Sequence, residues 1–185
     1  MRNLLVTGRP GVGKTTLVER VAKSLYVSIG GFWTQEIRER GERRGFRLDT
    51  WDGNSGIMSH VDFTSPFNVG KYGVDVRVID EIGVPAIESA LAESNLVVID
   101  ELGRMELFSE RFRETVVKAL DSDAPVLAVI QDRSHPFLDQ VRRRTDVEIV
   151  RITMENRNAL VMELRNRLEQ FGESSSGQVD DESLN

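Results

Sequence analysis

Gly8-Arg9-Pro10-Gly11-Val12-Gly13-Lys14-Thr15 sets a glycine, then four residues, ahead of a Gly-Lys-Thr triplet. A triphosphate needs several donors converging on a small volume. Glycines let backbone amides turn inward and come close to it. Lys14 supplies a mobile charge for the β- and γ-phosphates, and the Thr15 hydroxyl a ligand for Mg²⁺. Thr16 is spaced to reach the α-phosphate. Arg9 is open between a phosphate contact and solvent. The run Gly8, Arg9, Pro10, Gly11, Val12, Gly13, Lys14, Thr15 and Thr16 is therefore the first candidate binding stretch, a phosphate-binding loop (P-loop).

The second lies at Leu96-Val97-Val98-Ile99-Asp100-Glu101, four apolar residues ending in two acids. A site of this type needs a carboxylate from the neighbouring strand in its Mg²⁺ shell, and Asp100 fits; Thr15 and Asp100 are the candidate metal ligands. Glu101 beside it can orient a water and take its proton. Beyond Leu102, Gly103 permits a sharp departure from the strand. Arg104 has two readings: folding back to stabilise charge on the γ-phosphate, or pairing with Glu106 at the surface. Met105 and Leu107 read as core.

Other chemistry-bearing residues are less committed. Gln131 follows an apolar run and either senses the γ-phosphate or is a plain polar strand end. Arg142-Arg143-Arg144 is a phosphate-clamping lid or the solvated end of a helix. Asn156 and Arg157 border the base or cap a helix. His135 reads as structural, and the tip Arg38 to Arg44 as a solvated hairpin. Phe32, Trp33, Phe46 and Trp51 read as core, with one of them available to stack on a base.

The elements that must hold these groups follow from periodicity. Leu4 to Thr7, Leu96 to Ile99, Val126 to Ile130 and Val147 to Ile152 are apolar runs suited to strands buried on both faces. Thr15 to Tyr26, Ile87 to Glu93, Ser109 to Asp121, Pro136 to Arg143 and a last segment capped by Thr153 and stopped by Gly172 carry helical stripes. Phe32 to Arg38, Phe46 to Trp51 and Ile57 to Val61 read as a β-meander inserted near residues 32–61, and Val74 to Ile79 has no clear assignment. Alternating strands and helices give an α/β class with a mainly parallel sheet flanked by helices, one domain over residues 1–171 and an acidic, disordered tail over 172–185. Ligands on such sheets sit at the carboxyl ends of the strands, where both candidate stretches fall.

Composition narrows the chemistry. The 185 residues include no cysteine and two histidines, His60 and His135, far apart in sequence. This removes thiol nucleophiles, thiolate metal sites and a His-rich metal site. The net charge is −6, and Gly172 to Asn185 carries four of those negative charges, leaving the body at −2. A near-neutral body gives no support to electrostatic binding of long nucleic acids. No apolar run approaches the roughly 20 residues of a bilayer span. The expectation is a cytoplasmic monomer without a membrane partner.

The chain resembles the archaeal and bacterial nucleoside-triphosphatases called THEP1, whose vertebrate relative is the cancer-related nucleoside-triphosphatase. The resemblance runs from about Met1 to Phe171. Its marks are the opening loop, Gly30-Gly31-Phe32 with Thr34 and Glu36, Gly45-Phe46, Lys71-Tyr72-Gly73-Val74, Asp100-Glu101-Leu102-Gly103-Arg104-Met105-Glu106-Leu107, Arg133-Ser134-His135-Pro136-Phe137, and Asn156-Arg157. The family often has Ile and Lys where this chain has Leu102 and Arg104, and the second change keeps charge while altering geometry. The resemblance implies a P-loop NTPase and slow, Mg²⁺-dependent hydrolysis of ATP, GTP, CTP, UTP and TTP with little base selectivity, and with diphosphates as poor substrates. It maps nucleotide binding onto Gly8 to Thr15 and Ile99 to Glu106, that is Ile99, Asp100, Glu101, Leu102, Gly103, Arg104, Met105 and Glu106, with Glu101, Lys14 and Arg104 as the candidate catalytic groups. Two other classes share the cradle: a nucleoside or nucleotide kinase, for which the meander would supply an acceptor pocket, and a nucleotide-controlled nucleic-acid-binding switch. Glu101 beside Asp100 favours water as the nucleophile, and an Asn-Lys-x-Asp guanine reader is absent.

Overall fold

The computed structural model describes residues 2–94 and 96–175. Among them β1 (Asn3–Thr7), β2 (Ile29–Glu39), β3 (Glu42–Thr50), β4 (Ser55–His60), β5 (Asn68–Val69), β6 (Tyr72–Val74), β7 (Leu96–Leu102), β8 (Val126–Ile130) and β9 (Val147–Arg151) join in a single sheet. Their spatial order is β5-β6-β4-β3-β2-β7-β8-β1-β9. From β2 to β9 every pairing is parallel. From β2 outward to β5 every pairing is antiparallel.

Alternation along the strands divides the parallel half's core in two, as the two-residue period requires. Leu4, Val6, Val98, Leu127 and Val129 pack with Leu17, Val18 and Val21 of α1 (Lys14–Ser24) and Leu160, Leu164 and Leu168 of α6 (Arg157–Ser175). Leu5, Val97, Ile99, Ala128 and Ile130 face the other way. There they meet Ile87 of α3 (Val84–Glu93), Phe112 and Val116 of α4 (Glu110–Asp121), and Leu138 of α5 (Pro136–Arg142). Truncating any of the large ones to alanine costs about 2–5 kcal/mol. That rigidity lets short loops at the strand ends carry chemistry.

The helix ends are fixed locally. The Ser109 hydroxyl accepts from the Phe112 amide at 2.9 Å, and His135 Nδ1 accepts from the Phe137 amide at 3.2 Å. Thr153 Oγ1 accepts from the Asn156 amide while Asn156 Oδ1 accepts from the Thr153 amide. This reciprocal pair satisfies two donors ahead of α6.

Four expectations change. The meander starts at Ile29 and is continuous with the main sheet, because Ile29 through Phe32 pair in parallel with Leu96 through Ile99. It also extends to β5 and β6, strands of two and three residues that are too short to show a period. Val74 to Ile79 resolves into the end of β6, a turn of helix α2 (Val76–Val78) and the start of a π-helical turn, Ile79–Gly83. The strand bearing the acids is not the neighbour of β1, since β8 lies between them. Finally, α6 continues through Gly172 to Ser175, because a glycine inside a helix costs only about 1 kcal/mol and stops it only when it turns left-handed. Residues 176–185 of the expected disordered tail lie outside the described residues.

Candidate functional site

β1 ends at Thr7 and the loop Gly8 to Gly13 delivers the chain into α1. Gly11 and Gly13 hold φ values of 74° and 103°, a left-handed backbone that side chains resist. With Gly13 as the N-cap, the first amides of α1 open into the loop with the positive end of the helix dipole behind them. Lys14 Nζ lies across the same loop and donates to the carbonyls of Gly8 at 3.2 Å and Arg9 at 3.3 Å.

Two strands away, Asp100 is only 1% exposed, and its Oδ2 is buried without a partner. Burial pushes its carboxyl up to about 7; the Thr15 hydrogen bond and the Lys14 charge oppose that rise, and the Glu101 charge adds to it. Thr15 and Asp100 thus meet, with one acceptor atom unused. A hard cation with oxygen ligands fits this donor set. Among the described residues no three His, Asp or Glu side chains gather into a metal cage.

Glu101 is next to Gln131, the residue that follows β8, and its Oε1 accepts from Gln131 Nε2 at 2.6 Å. The inserted β8 explains the contact, for its end is interposed between the loop and the acids. Gly103 backs onto this pair: a Cβ there would lie 2.7 Å from Gln131 Nε2, 2.7 Å from Glu101 Oε1 and 2.9 Å from Glu106 Oε2. Glu106 is buried, and its carboxyl is pushed well up by burial and then by the charge of Glu101.

Of these groups Gly8, Arg9, Lys14, Glu101, Glu106 and Gln131 line a cleft of about 560 Å³. Arg9, Lys14, Arg104 and Arg133 face it and have no ion-pair partner among the described residues. The other charges at its edge are committed: Arg43 to Glu36 at 2.7 Å and Asp132 to Arg151 at 2.9 Å. Uncommitted cations around a ring of inward amides form an anion site.

Most of the sequence-derived candidates come together here. Gly8, Arg9, Pro10, Lys14, Glu101, Arg104, Met105 and Glu106 line the cleft. Val12, Ile99 and Leu102 are core side chains, leaving only their backbone for a nucleotide. The Arg104–Glu106 pair does not form, because Glu106 turns into the protein and Arg104 stays exposed. The arginine run is not a lid: Arg142 pairs with Asp139 and bonds the carbonyls of Gln131 and Arg133, and Arg144 pairs with Asp121 and Asp146. Asn156 is taken up by its capping bonds. The far wall is made by Thr34, Arg43, Phe46, Met58, Val69 and Tyr72 of the meander; sequence reasoning offered the meander as a pocket wall in the kinase reading and Phe46 among four aromatics, but missed the other five residues. The hairpin tip was expected to be solvated, yet its Arg43 stacks 5.1 Å from the Phe46 ring centre.

A family model described as NTPase matches residues 3–165. The nucleoside-triphosphatase THEP1 of Thermotoga sp. (strain RQ2) is 47% identical over 161 residues, 87% of this chain and 92% of that protein. The crystal structure of THEP1 from the hyperthermophile Aquifex aeolicus superposes with a TM-score of 0.84 at 38% identity, over 90% of this chain and 99% of the other. The solution structure of a human cancer-related nucleoside triphosphatase gives 0.78 at 34% identity, over 92% and 98%.

Proposed function

The chain belongs to the NTPase family, and we propose that it hydrolyses nucleoside triphosphates to the diphosphate and phosphate, nucleoside diphosphates more slowly, with Mg²⁺ as cofactor and little regard for the base. The observation that carries this reading is the contact between Glu101 and Gln131 at the mouth of the P-loop, 2.6 Å apart, beside Lys14 in one cleft. The loop amides and Lys14 hold the β- and γ-phosphates. Glu101 accepts the proton of the attacking water, and Gln131 fixes the carboxylate and its water in line with the γ-phosphorus. Arg104, exposed and unpaired at the rim, offers positive charge to the transferring phosphoryl group. Thr15 and the unpartnered Oδ2 of Asp100 would hold Mg²⁺. When bound there, the ion neutralises charge developing on the phosphate oxygens.

Low base selectivity follows from where the polar groups are. Those assigned here meet phosphates, and strong discrimination requires buried groups that the wrong base leaves unpaired. The test is phosphate release from ATP, GTP, CTP, UTP and TTP, each with Mg²⁺ and with a chelator in excess. Release from all five that stops on chelation is expected. No release from any of them overturns the reading. A preference above about 100-fold in kcat/KM, about 2.7 kcal/mol of selective contact, overturns the claim on the base.

A further inference from the structure

The cleft is larger than hydrolysis needs. Lys14, Gln131 and Glu101, at the γ end of a bound triphosphate, line it, whereas Gly11, Gly13 and Thr16, toward the α end, do not. The rest of its lining includes Thr34, Arg43, Phe46, Met58, Val69 and Tyr72 of the antiparallel strands. Neighbouring strands are about 4.8 Å apart, so β7 to β4, three strands along, spans roughly 14 Å. The cleft's volume of about 560 Å³ lies in the range of small-molecule pockets, far above the roughly 30 Å³ of a water molecule.

The character of that wall is also unlike a water channel. Met58 is 1% and Tyr72 9% exposed, and the Phe46 and Tyr72 rings meet edge to face at 5.6 Å. Two polar groups interrupt this apolar lining. One is the Thr34 hydroxyl, on the strand adjacent to the acids. The other is the Arg43 guanidinium, held in place by Glu36 at 2.7 Å and by the Tyr72 hydroxyl at 3.1 Å. Arginine carries five N–H donors, so those two bonds leave others for a ligand. An apolar pocket with a few fixed polar groups is the usual form of a small-molecule site.

We propose that this part of the cleft is a second-substrate pocket, taking an alcohol with a flat, apolar body of nucleoside size that replaces water as acceptor of the γ-phosphate. This rests on the triphosphatase reading of the same loop and acids. The alcohol oxygen forms a bond to the γ-phosphorus. The bond from that phosphorus to the β–γ bridging oxygen breaks, its electron pair staying with the nucleoside diphosphate. The alcohol proton passes to the Glu101 carboxylate, and the product is a phosphate monoester. An alcohol is a poor nucleophile until its proton is taken, which suits a glutamate as the base. Water serves when no alcohol is seated.

The experiment uses γ-labelled ATP with Mg²⁺ and each of the four ribonucleosides in turn, separating labelled inorganic phosphate from labelled ester. In parallel, binding of each nucleoside is measured by calorimetry on protein saturated with a non-hydrolysable ATP analogue. Val69, part-buried on β5, is replaced by tryptophan to fill the pocket. Expected are a labelled ester with at least one nucleoside, and a tenfold or greater loss of nucleoside affinity in Val69→Trp with analogue affinity held within threefold. Neither ester nor binding with any of the four overturns the pocket while leaving the hydrolase reading intact. A tenfold loss of analogue affinity in Val69→Trp also overturns it, since that part of the cleft would then hold the base of the triphosphate itself. Absence of labelled phosphate from ATP alone would instead be the failure of the hydrolase reading.

Discussion

In the parallel half of the sheet, β1, β7 and β8 are neighbours, and the chain at or just past their ends brings Lys14, Glu101 and Gln131 to one end of the cleft. In the antiparallel half, β2 to β6 form a wall of the cleft, contributing side chains that lie within the strands themselves. On the proposed reading, the first arrangement makes a few short contacts to a highly charged, nearly invariant object. The second makes a broad, weakly polar surface whose fit depends on shape. Strand ends suit chemistry because one residue can change without disturbing the ladder. Strand faces suit recognition because neighbouring side chains add area.

If that division holds, damage at the strand ends alters rate or phosphate affinity. The largest effect is expected for Glu101→Gln, which keeps size and one acceptor oxygen but is not a useful base. General-base catalysis is typically worth ~10²–10⁴ in rate, so kcat falls at least ~100-fold while affinity for a labelled ATP analogue stays within a few-fold. Single-turnover hydrolysis beside equilibrium binding measures both; a near wild-type rate makes Glu106 the candidate base instead. Lys14→Ala comes next. Removing one partner of a desolvated charge pair costs about 2–5 kcal/mol, so analogue affinity drops on the order of 100-fold. Unchanged affinity breaks the assignment of the loop.

Gly103→Ala sharpens the comparison further. The new methyl would press on Glu101, Gln131 and Glu106 together, all at side-chain ends that can shift. Small misplacements of reacting groups are costly, and we expect about a tenfold loss in kcat with little change in melting temperature. A loss of stability without a loss of rate would make the glycine a packing requirement only.

The smallest effect concerns pH. Asp100, raised from 3.8 to about 7 by burial, is protonated in the fold while ionised in the unfolded chain between those values. The folded state then binds more protons, so this carboxyl's contribution to stability falls as pH rises through that window and levels off above it. Glu106 acts in the same direction. The depressed carboxyls, such as Asp75 and Asp132, have opposite sign but complete their change below about pH 5. Urea midpoints for the nucleotide-free protein are expected to drop between pH 5 and 7.5 by the equivalent of about 1–2 kcal/mol, and by less in Asp100→Asn. Equal slopes in both proteins would mean that the carboxyl is not shifted.

The same two halves differ in how far they could be read from sequence. Loop and acids were legible because phosphate chemistry restricts residue type and spacing: a glycine that must turn left-handed, a lysine, and a carboxylate after an apolar run. Strand and helix identities in the parallel half followed from continuous apolar runs and helical stripes. Strand order did not, since nothing in Val126 to Ile130 marks it as the element between β1 and β7, and the Glu101–Gln131 contact depends on that. The far wall was hidden for a related reason. Arg43, Met58 and Tyr72 are separated along the chain and belong to short or bulged strands, so no local pattern joins them. Thr34, Glu36, Gly45-Phe46 and Lys71-Tyr72 were marks of the family resemblance, of which only Phe46 had a role attached, and most of those positions prove to lie at or behind this wall.

Lys14 leaves one more consequence. Two of its three N–H donors are engaged by the carbonyls of Gly8 and Arg9, so arriving phosphate does not find a bare charge. Capture is an exchange of partners, in which two loop carbonyls are released as two phosphate oxygens are gained. The net affinity from this lysine is accordingly smaller than its Coulomb attraction suggests. In return, the lysine ties the loop to itself in the ligand-free protein, holding the curve of Gly8 and Arg9 in place before any phosphate arrives.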